Sequence, residues 1–152
     1  MRMLRFDDPV VNSDGTIGYL GGGSSGGGVK VCGGTANMTT NVSILQPFSY
    51  TITGGTLTDV YDPATNLFNL KAGKTYIFDC TCATTFDGQW GIYTETGDPI
   101  SRSYVYSINS KYIPSPIELC YTPTNDIKVK IAMNRDNVAI FNDFTHFTLM
   151  EV

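Results

Sequence analysis

The most informative pattern along the chain is an alternation of apolar and polar residues, which recurs from about residue 41 to the end. In segment 127–133, for example, Lys128 and Lys130 alternate with Ile, Val, Ile and Met. This period of two is typical of an antiparallel strand with one buried and one solvated side. No window shows the 3.6-residue apolar spacing of an amphipathic helix. The pattern therefore predicts an all-β protein.

Turn signals divide this part of the chain into about eight short strands. Gly54-Gly55 joins two apolar–polar runs, and Gly97-Asp98-Pro99 separates two more. Such regular spacing of short strands and glycine or proline turns is typical of sandwiches and jelly rolls. We expect residues 41–152 to form an antiparallel β-sandwich of jelly-roll type.

The first forty residues lack any sustained period. Residues 21–28 read GGGSSGGG, a composition typical of a flexible linker. The peptide before this run is too short to bury enough apolar area to fold alone. We therefore expect residues 1–40 to form an extended anchoring arm that becomes ordered against a partner. Its expected apolar contacts are Leu4, Phe6, Val10 and Val11.

Composition narrows the range of partners. Charged residues make up 16% of the 152, against roughly 25% in typical soluble domains, and the net charge is −4. The ten basic residues are scattered, whereas nucleic-acid binding needs clustered Lys and Arg. No run approaches the roughly 20 apolar residues that cross a bilayer. Neither a nucleic-acid nor a membrane partner is predicted.

The N-terminal sequence does not resemble a secretory signal, since acidic residues and a proline follow before an apolar stretch can form. We therefore expect synthesis in a cytoplasm, with reduced thiols. The four cysteines are Cys32, Cys80, Cys82 and Cys120. All are predicted to be small buried residues. Cys80 and Cys82 lie two apart on one strand, so both point to the same side.

Catalytic chemistry is not predicted. The single histidine, His146, lies in the last strand without a recognisable nucleophile motif, and we expect it to be satisfied by hydrogen bonds within the sheet. The C-x-C pair lacks the C-x₂₋₄-C spacing of zinc sites. No metal, cofactor or catalytic residue is therefore expected.

Aromatic residues crowd the middle of the sandwich segment. If Ser103 and Val105 face one way, Tyr104 and Tyr106 face the other, side by side. Three roles are possible for these two tyrosines together with Trp90 and Tyr93: ordinary core packing, an interface between subunits, or a platform for a glycan.

Segment 70–78, LKAGKTYIF, resembles the strand that follows an Ala-Gly turn in trimeric jelly rolls of the C1q/TNF-like type. It is also similar to modules of bacteriophage head fibres and capsid decoration proteins. The aromatic closing segment 144–152 and the glycine-rich arm fit the same likeness. The resemblance implies a homotrimer attached to a larger particle, and it assigns no functional residue.

These observations predict a virion structural protein, made in the host cytoplasm, that decorates a capsid or forms a head fibre. The arm would bind the major capsid protein or another virion protein, and host-surface adhesion would be an additional role. The alternative is a carbohydrate-binding module that uses the aromatic platform.

Overall fold

The computed structural model describes residues 9–11, 15, 17–19, 28–108 and 111–152. Within these residues the chain forms fourteen strands and one 3₁₀ turn, Asn142–Phe144. The strands are β1 (Pro9–Val11), β2 (Ile17–Tyr19), β3 (Lys30–Ala36), β4 (Tyr50–Gly55), β5 (Tyr61–Asp62), β6 (Leu67–Leu70), β7 (Tyr76–Cys82), β8 (Gly88–Thr94), β9 (Pro99–Val105), β10 (Ser107–Ile108), β11 (Lys111–Tyr112), β12 (Ser115–Tyr121), β13 (Ile127–Met133) and β14 (His146–Glu151).

Two five-stranded antiparallel sheets form the sandwich. The first sheet has the order β12-β7-β14-β3-β4, and the second has the order β5-β6-β13-β8-β9. Two further pairs, β1-β2 and β10-β11, stand as short hairpins. The prediction of an all-β antiparallel sandwich is confirmed.

The alternation of buried and more exposed residues along β7 shows why this segment forms a strand with one face towards the core. Every second residue from Tyr76 to Cys82 is buried, and Ile77, Asp79 and Thr81 lie on the other side. Side chains on successive strand residues point to opposite faces, so the buried set packs against the second sheet. The expectation that Cys80 and Cys82 share one side is confirmed.

An aromatic cluster fills the core between the sheets. The ring centroid of Phe147 lies 4.8 Å from that of Tyr50 and 4.8 Å from that of Phe68, both in edge-to-face geometry. Phe68, from the second sheet, also packs edge-to-face on Phe78 of the first at 5.7 Å. Edge-to-face rings gain energy beyond the area they bury. This cluster joins the two sheets.

The predicted boundary between residues 40 and 41 does not follow the structure. β3 lies inside the first sheet, paired with β14 on one side and β4 on the other. Before it, β1 and β2 form a hairpin, and Ile17 pairs with Val29 at the start of β3. The sandwich therefore begins at about residue 29, and the described strands β1 and β2 pair with each other where an extended arm was expected.

The face of β13 that carries its two lysines was predicted to be solvent-exposed, but it is only partly exposed. Lys128 is exposed, but Lys130 is buried to 9% relative exposure. The Nζ of Lys130 donates a hydrogen bond to the carbonyl oxygen of Glu95 at 3.1 Å. Glu95 lies in the turn between β8 and β9, so its carbonyl oxygen is a local acceptor for the amine of Lys130. The aliphatic part of the lysine side chain can therefore be buried while its amine keeps a hydrogen bond.

The sandwich has two distinct ends. At the near end β3 begins and β14 finishes, with Lys30 paired to Glu151. At the far end Thr35 pairs with His146, and the connections 37–49, 83–87 and 134–145 lie there, together with the described residues between β9 and β12. The N-terminal hairpin therefore joins the sandwich at the near end, opposite these connections. No helix within the described ranges is long and apolar enough to cross a membrane.

Candidate functional site

Two of the four predicted aromatic residues lie together on the surface. Tyr104 is 44% exposed and Tyr106 is 53% exposed, and their ring centroids are 4.7 Å apart with planes tilted by 46°. Val105 between them is fully buried. The alternation predicted for this segment is therefore confirmed.

Trp90 does not belong to that surface. It is fully buried in the core, and its Nε1 donates a hydrogen bond to Ser115 Oγ at 3.1 Å. Ser115 Oγ also lies 3.0 Å from Ser103 Oγ, so one hydroxyl links β8, β9 and β12. Of the three alternatives for Trp90, its burial matches ordinary core packing, because its parity on β8 turns it inward.

Tyr93 is also closed off from solvent, with 2% relative exposure. Three positions separate it from Trp90, so the two side chains leave β8 on opposite faces. Burial raises the pKa of the Tyr93 hydroxyl, and the nearby Arg102 guanidinium acts in the opposite direction. The four predicted residues thus do not form one platform, and only Tyr104 and Tyr106 remain accessible.

The outer face of the first sheet, the side that points away from the core, forms a regular surface. Strand register arranges its side chains in three rows across the sheet. The row nearest the near end is apolar: Cys120, Ile77, Met150 and Val31. The middle row holds Glu118, Asp79, Thr148 and Gly33, and the row nearest the far end holds Pro116, Thr81, His146 and Thr35.

The apolar row corrects one expectation about the cysteines. Cys32, Cys80 and Cys82 are buried and free, as predicted, whereas Cys120 is free and exposed. Cys120 pairs with Ile77, an outward residue of β7, and therefore faces outward itself. The pattern of β12 contains this signal, because Cys120 has the same parity as the charged Glu118.

The middle row places two carboxylates directly opposite each other. Asp79 pairs with Glu118 in the β7–β12 register, and both are exposed. The ion pairs among the described residues are Lys71–Asp126 and Lys74–Glu151, so neither carboxylate has a cationic partner within that part of the chain. Like charges directly opposite in a sheet are unfavourable.

His146 and the buried thiols lie on opposite sides of the first sheet. His146 Nδ1 is 2.8 Å from Thr81 Oγ1 on the outer face, while Cys80 and Cys82 point into the core. Burial raises the pKa of both thiols far above the ordinary value, and the charge of Asp79 adds to this for Cys80. A cysteine–histidine pair is therefore not assembled. No group of three metal-ligating side chains occurs in the described segments.

The predicted anchor residues are only partly within the described chain. Leu4 and Phe6 lie outside the described residues. Val10 pairs with Gly18 and Val11 with Ile17 in the β1–β2 hairpin at the near end. Their contact with a partner stays a prediction.

Comparison with known proteins identifies the fold. No protein-family model and no curated protein sequence matches the chain. The globular domain of zebrafish complement 1qA protein superimposes with a TM-score of 0.60 at 12% identity, covering 81% of this chain and 95% of that one. Two crystal structures of murine APRIL give TM-scores of 0.61 and 0.63 at 8% and 9% identity, each covering 82% of this chain and 99% of that one. The chain thus has the C1q/TNF-like jelly-roll fold.

Proposed function

We propose that this chain is a non-catalytic structural module that self-associates as a homotrimer and is carried on a virion, as a capsid decoration or head-fibre protein. Its fold is compatible with a structural or adhesive role. The observation that carries the proposal is the outer face of the first sheet, which presents an apolar row in which Cys120 is exposed and Ile77, Met150 and Val31 are partly exposed.

The size of this face suits association between copies. Five strands spaced by about 4.8 Å, each about seven residues long, span roughly 20 Å in both directions. That is the scale of the roughly 800 Å² that each partner buries in a standard interface. In the three rows of this face, the acidic residues are Asp79 and Glu118, both in the middle row. Few charged residues are expected at the centre of a protein–protein interface.

The polarity of the molecule supports attachment to a particle. The N-terminal hairpin joins the sandwich at the near end, next to Thr56 and Val29. At the far end, Phe86 and Tyr106 are each more than half exposed, and the Arg135 guanidinium lies 5.2 Å from the Phe86 ring centroid. In this proposal the N-terminal residues bind a capsid protein, and the far end points outward, where it is available for host-surface adhesion.

The oligomeric state is tested by the mass of the protein in solution, measured by light scattering. We expect about three times the 16.6 kDa of one chain. Ile77→Asp should lower the mass towards that of one chain, because it places a charge in the apolar row. Ile44→Asp is the matched control, since Ile44 is an exposed isoleucine in a far-end connection. A single-chain mass for the unaltered protein at every concentration would contradict self-association.

Attachment is tested on purified virions from the organism that encodes the chain. Mass spectrometry should find the protein in a fixed ratio to the major capsid protein. A chain that starts at Gly28 keeps β3 and should still fold and self-associate, but it should no longer bind the particle. Truncation at residue 41 is unsuitable because it removes a central strand of the first sheet. Absence of the protein from the particles would contradict the virion role.

A second candidate function is binding of a glycan, favoured by the exposed ring pair of Tyr104 and Tyr106. Aromatic faces stack on apolar faces of sugar rings, and the neighbouring polar residues supply hydrogen bonds. Screening the protein on a glycan array, with Tyr104→Ala as the comparison, tests this function. A ligand lost on Tyr104→Ala, together with a single-chain mass, would favour it over assembly.

A further inference from the structure

A buried hydroxyl on the outer face of the second sheet has no hydrogen-bond partner within the described chain. It belongs to Tyr93, which is 2% exposed and leaves β8 on the face opposite Trp90. Among the described residues, Tyr50 Oη in the aromatic core and Thr56 Oγ1 share this property. Buried polar groups in folded proteins are almost always bonded, so an unpaired one indicates a place where a water, an ion or a ligand binds.

Lys130 lies directly opposite Tyr93 on the same face of the second sheet. The β13–β8 register pairs the two residues, which places their Cβ atoms about 5 Å apart. Lys130 is 9% exposed, and its Nζ donates a hydrogen bond to the carbonyl oxygen of Glu95. An ammonium group carries three donors, and no carboxylate in the described chain forms an ion pair with this one. A largely buried cation without a counter-charge is unfavourable.

Arg102 supplies a second cation beside Tyr93. It is exposed and pairs with Gly91, the outward residue of β8 next to Tyr93. Burial raises the pKa of the Tyr93 hydroxyl and the Arg102 guanidinium lowers it, so the two groups interact. Arg102 takes part in no ion pair among the residues that the structure describes. A guanidinium binds anionic oxygens through two parallel hydrogen bonds.

The turn between β8 and β9 covers one side of these three residues. The Glu95 carbonyl oxygen of this turn accepts the hydrogen bond from Lys130. A Cβ at Gly97 would lie 3.1 Å from Leu45 Cδ1, so the turn also packs against the connection 37–49. The carboxylates of the turn, Glu95 and Asp98, belong to exposed residues. Because Tyr93 is almost fully buried beneath this cover, we expect only a small group to reach its hydroxyl.

We propose that Tyr93, Lys130 and Arg102 form a binding site for a small oxygen anion, namely a carboxylate, sulfate or phosphate group. The hydroxyl of Tyr93 and the N–H groups of the two cations all donate, and such an anion accepts from all of them. A water molecule would satisfy the hydroxyl but would leave both cations without a counter-charge. This anion site lies within one chain, so it does not depend on self-association. The anion is either a free ion or the acidic group of a glycan.

Equilibrium dialysis with radiolabelled sulfate tests the site on the full chain, at an ionic strength held constant with sodium chloride. The variants are Tyr93→Phe, Lys130→Gln and Arg102→Gln. The matched control is Lys128→Gln, because Lys128 is an exposed cation on the same strand and the same face. Circular dichroism and light scattering establish that each variant keeps the fold and the mass of the unaltered protein.

We expect the unaltered protein to bind sulfate saturably, and phosphate or acetate to compete for the same site. Tyr93→Phe should weaken sulfate binding by about tenfold, since hydrogen bonds to charged groups are stronger than neutral ones. Lys130→Gln and Arg102→Gln should weaken it at least as much. Lys128→Gln should change it by less than about twofold, because salt screens exposed charges.

Three results would overturn the anion site. The first is that sulfate, phosphate and acetate all fail to bind saturably to the unaltered protein. The second is that Lys128→Gln weakens binding as much as Lys130→Gln, which would indicate general attraction to positive charge. The third is that Tyr93→Phe leaves the affinity unchanged, which would show that the hydroxyl does not contact the anion.

Thermal unfolding gives an independent measurement. In chloride alone, Tyr93→Phe should unfold at the same temperature as the unaltered protein or higher, because it removes an unpaired buried hydroxyl. Sulfate stabilises many proteins by exclusion from their surface, so the comparison is between variants. The unaltered protein should gain more from sulfate than Tyr93→Phe does, because only specific binding differs between them. An equal gain would contradict the site.

Competition with sugars identifies the source of the anion. A sialylated trisaccharide carries a carboxylate, and lactose is its neutral counterpart. Displacement of sulfate by the sialylated sugar but not by lactose would support the site and assign it to an acidic glycan. Displacement by inorganic phosphate and acetate alone would support it as a site for a free ion. Displacement by lactose would overturn it, because a neutral sugar brings no charge for Lys130 and Arg102.

Discussion

The two faces of the first sheet are built from the same strands, yet they differ in the burial and the polarity of their side chains. The inner face presents Phe78, Leu149 and Phe147, which are at most 2% exposed and pack against the second sheet. The outer face presents the neighbours of those residues, including Asp79 and Thr148, which are exposed. Alternation alone decides which residue lies on which face.

The difference shows which side chains of the first sheet find contact partners within the described chain and which do not. On the inner face the aromatic rings find partners within the chain at 4.8 to 5.7 Å. On the outer face Asp79 and Glu118 have no ion-pair partner within the described chain, and the neighbouring Cys120 is exposed. The inner face therefore accounts for folding, and the outer face is the surface that we propose for association.

The largest expected difference between the faces concerns two adjacent residues of β14. Phe147→Ala removes the ring at the centre of the aromatic cluster, and we expect it to lower the free energy of unfolding by about 3 to 5 kcal/mol. Thr148→Ala, on the outer face, should change it by no more than about 0.5 kcal/mol. Urea unfolding at one fixed protein concentration measures both values. Equal effects would contradict the assignment of the two faces.

The adjacent glycines of β3 give a second, smaller contrast. A Cβ at Gly34 would lie 2.6 Å from Phe147 Cε1 and 3.1 Å from the Thr51 carbonyl oxygen, whereas at Gly33 the nearest atom is 3.6 Å away. Gly34→Ala should therefore cost about 1 to 3 kcal/mol through overpacking. Gly33→Ala should be neutral or slightly stabilising. Thermal unfolding of the two variants compares them, and a more costly Gly33→Ala would contradict the packing described.

Alkaline pH should weaken the inner face selectively. Burial raises the pKa of the Cys80 and Cys82 thiols in the folded state above the ordinary value of 9.0. Their contribution to stability is complete below pH 9 and is lost as pH rises, because only the unfolded chain releases the protons. The loss is about 1.4 kcal/mol per thiol for each pH unit above 9. Urea unfolding from pH 8 to 10 measures the loss, and Cys80→Ala should reduce its slope.

Much of the fold could be predicted from alternation, and the exceptions have physical causes. Segments 76–82 and 127–133 show a clear period of two, and both are strands. β3 was missed because Gly33 and Gly34 interrupt the pattern and glycine is a poor strand former. The structure explains Gly34 by the Phe147 ring that occupies the space of its missing side chain. A single sequence does not show this contact.

The candidate site was less predictable. The pairing of Tyr104 with Tyr106 follows from their spacing of two, and the odd spacing of Trp90 and Tyr93 could have shown that these two do not share a face. The Asp79–Glu118 pair depends on the register between β7 and β12, which are 39 residues apart at that point. Register between distant strands is set by tertiary packing, so the outer face could be found only in the folded structure.

The accessibility of the Cys120 thiol tests most directly whether copies associate through the outer face of the first sheet. Cys120 lies on that face and is exposed in the single chain, while Cys32, Cys80 and Cys82 are buried. Alkylation with iodoacetamide should modify Cys120 rapidly in dilute protein and much more slowly at concentrations where light scattering shows the assembled form. Ile77→Asp should keep the reaction rapid throughout. Equally fast alkylation of Cys120 in the assembled and dissociated protein would contradict association through this face.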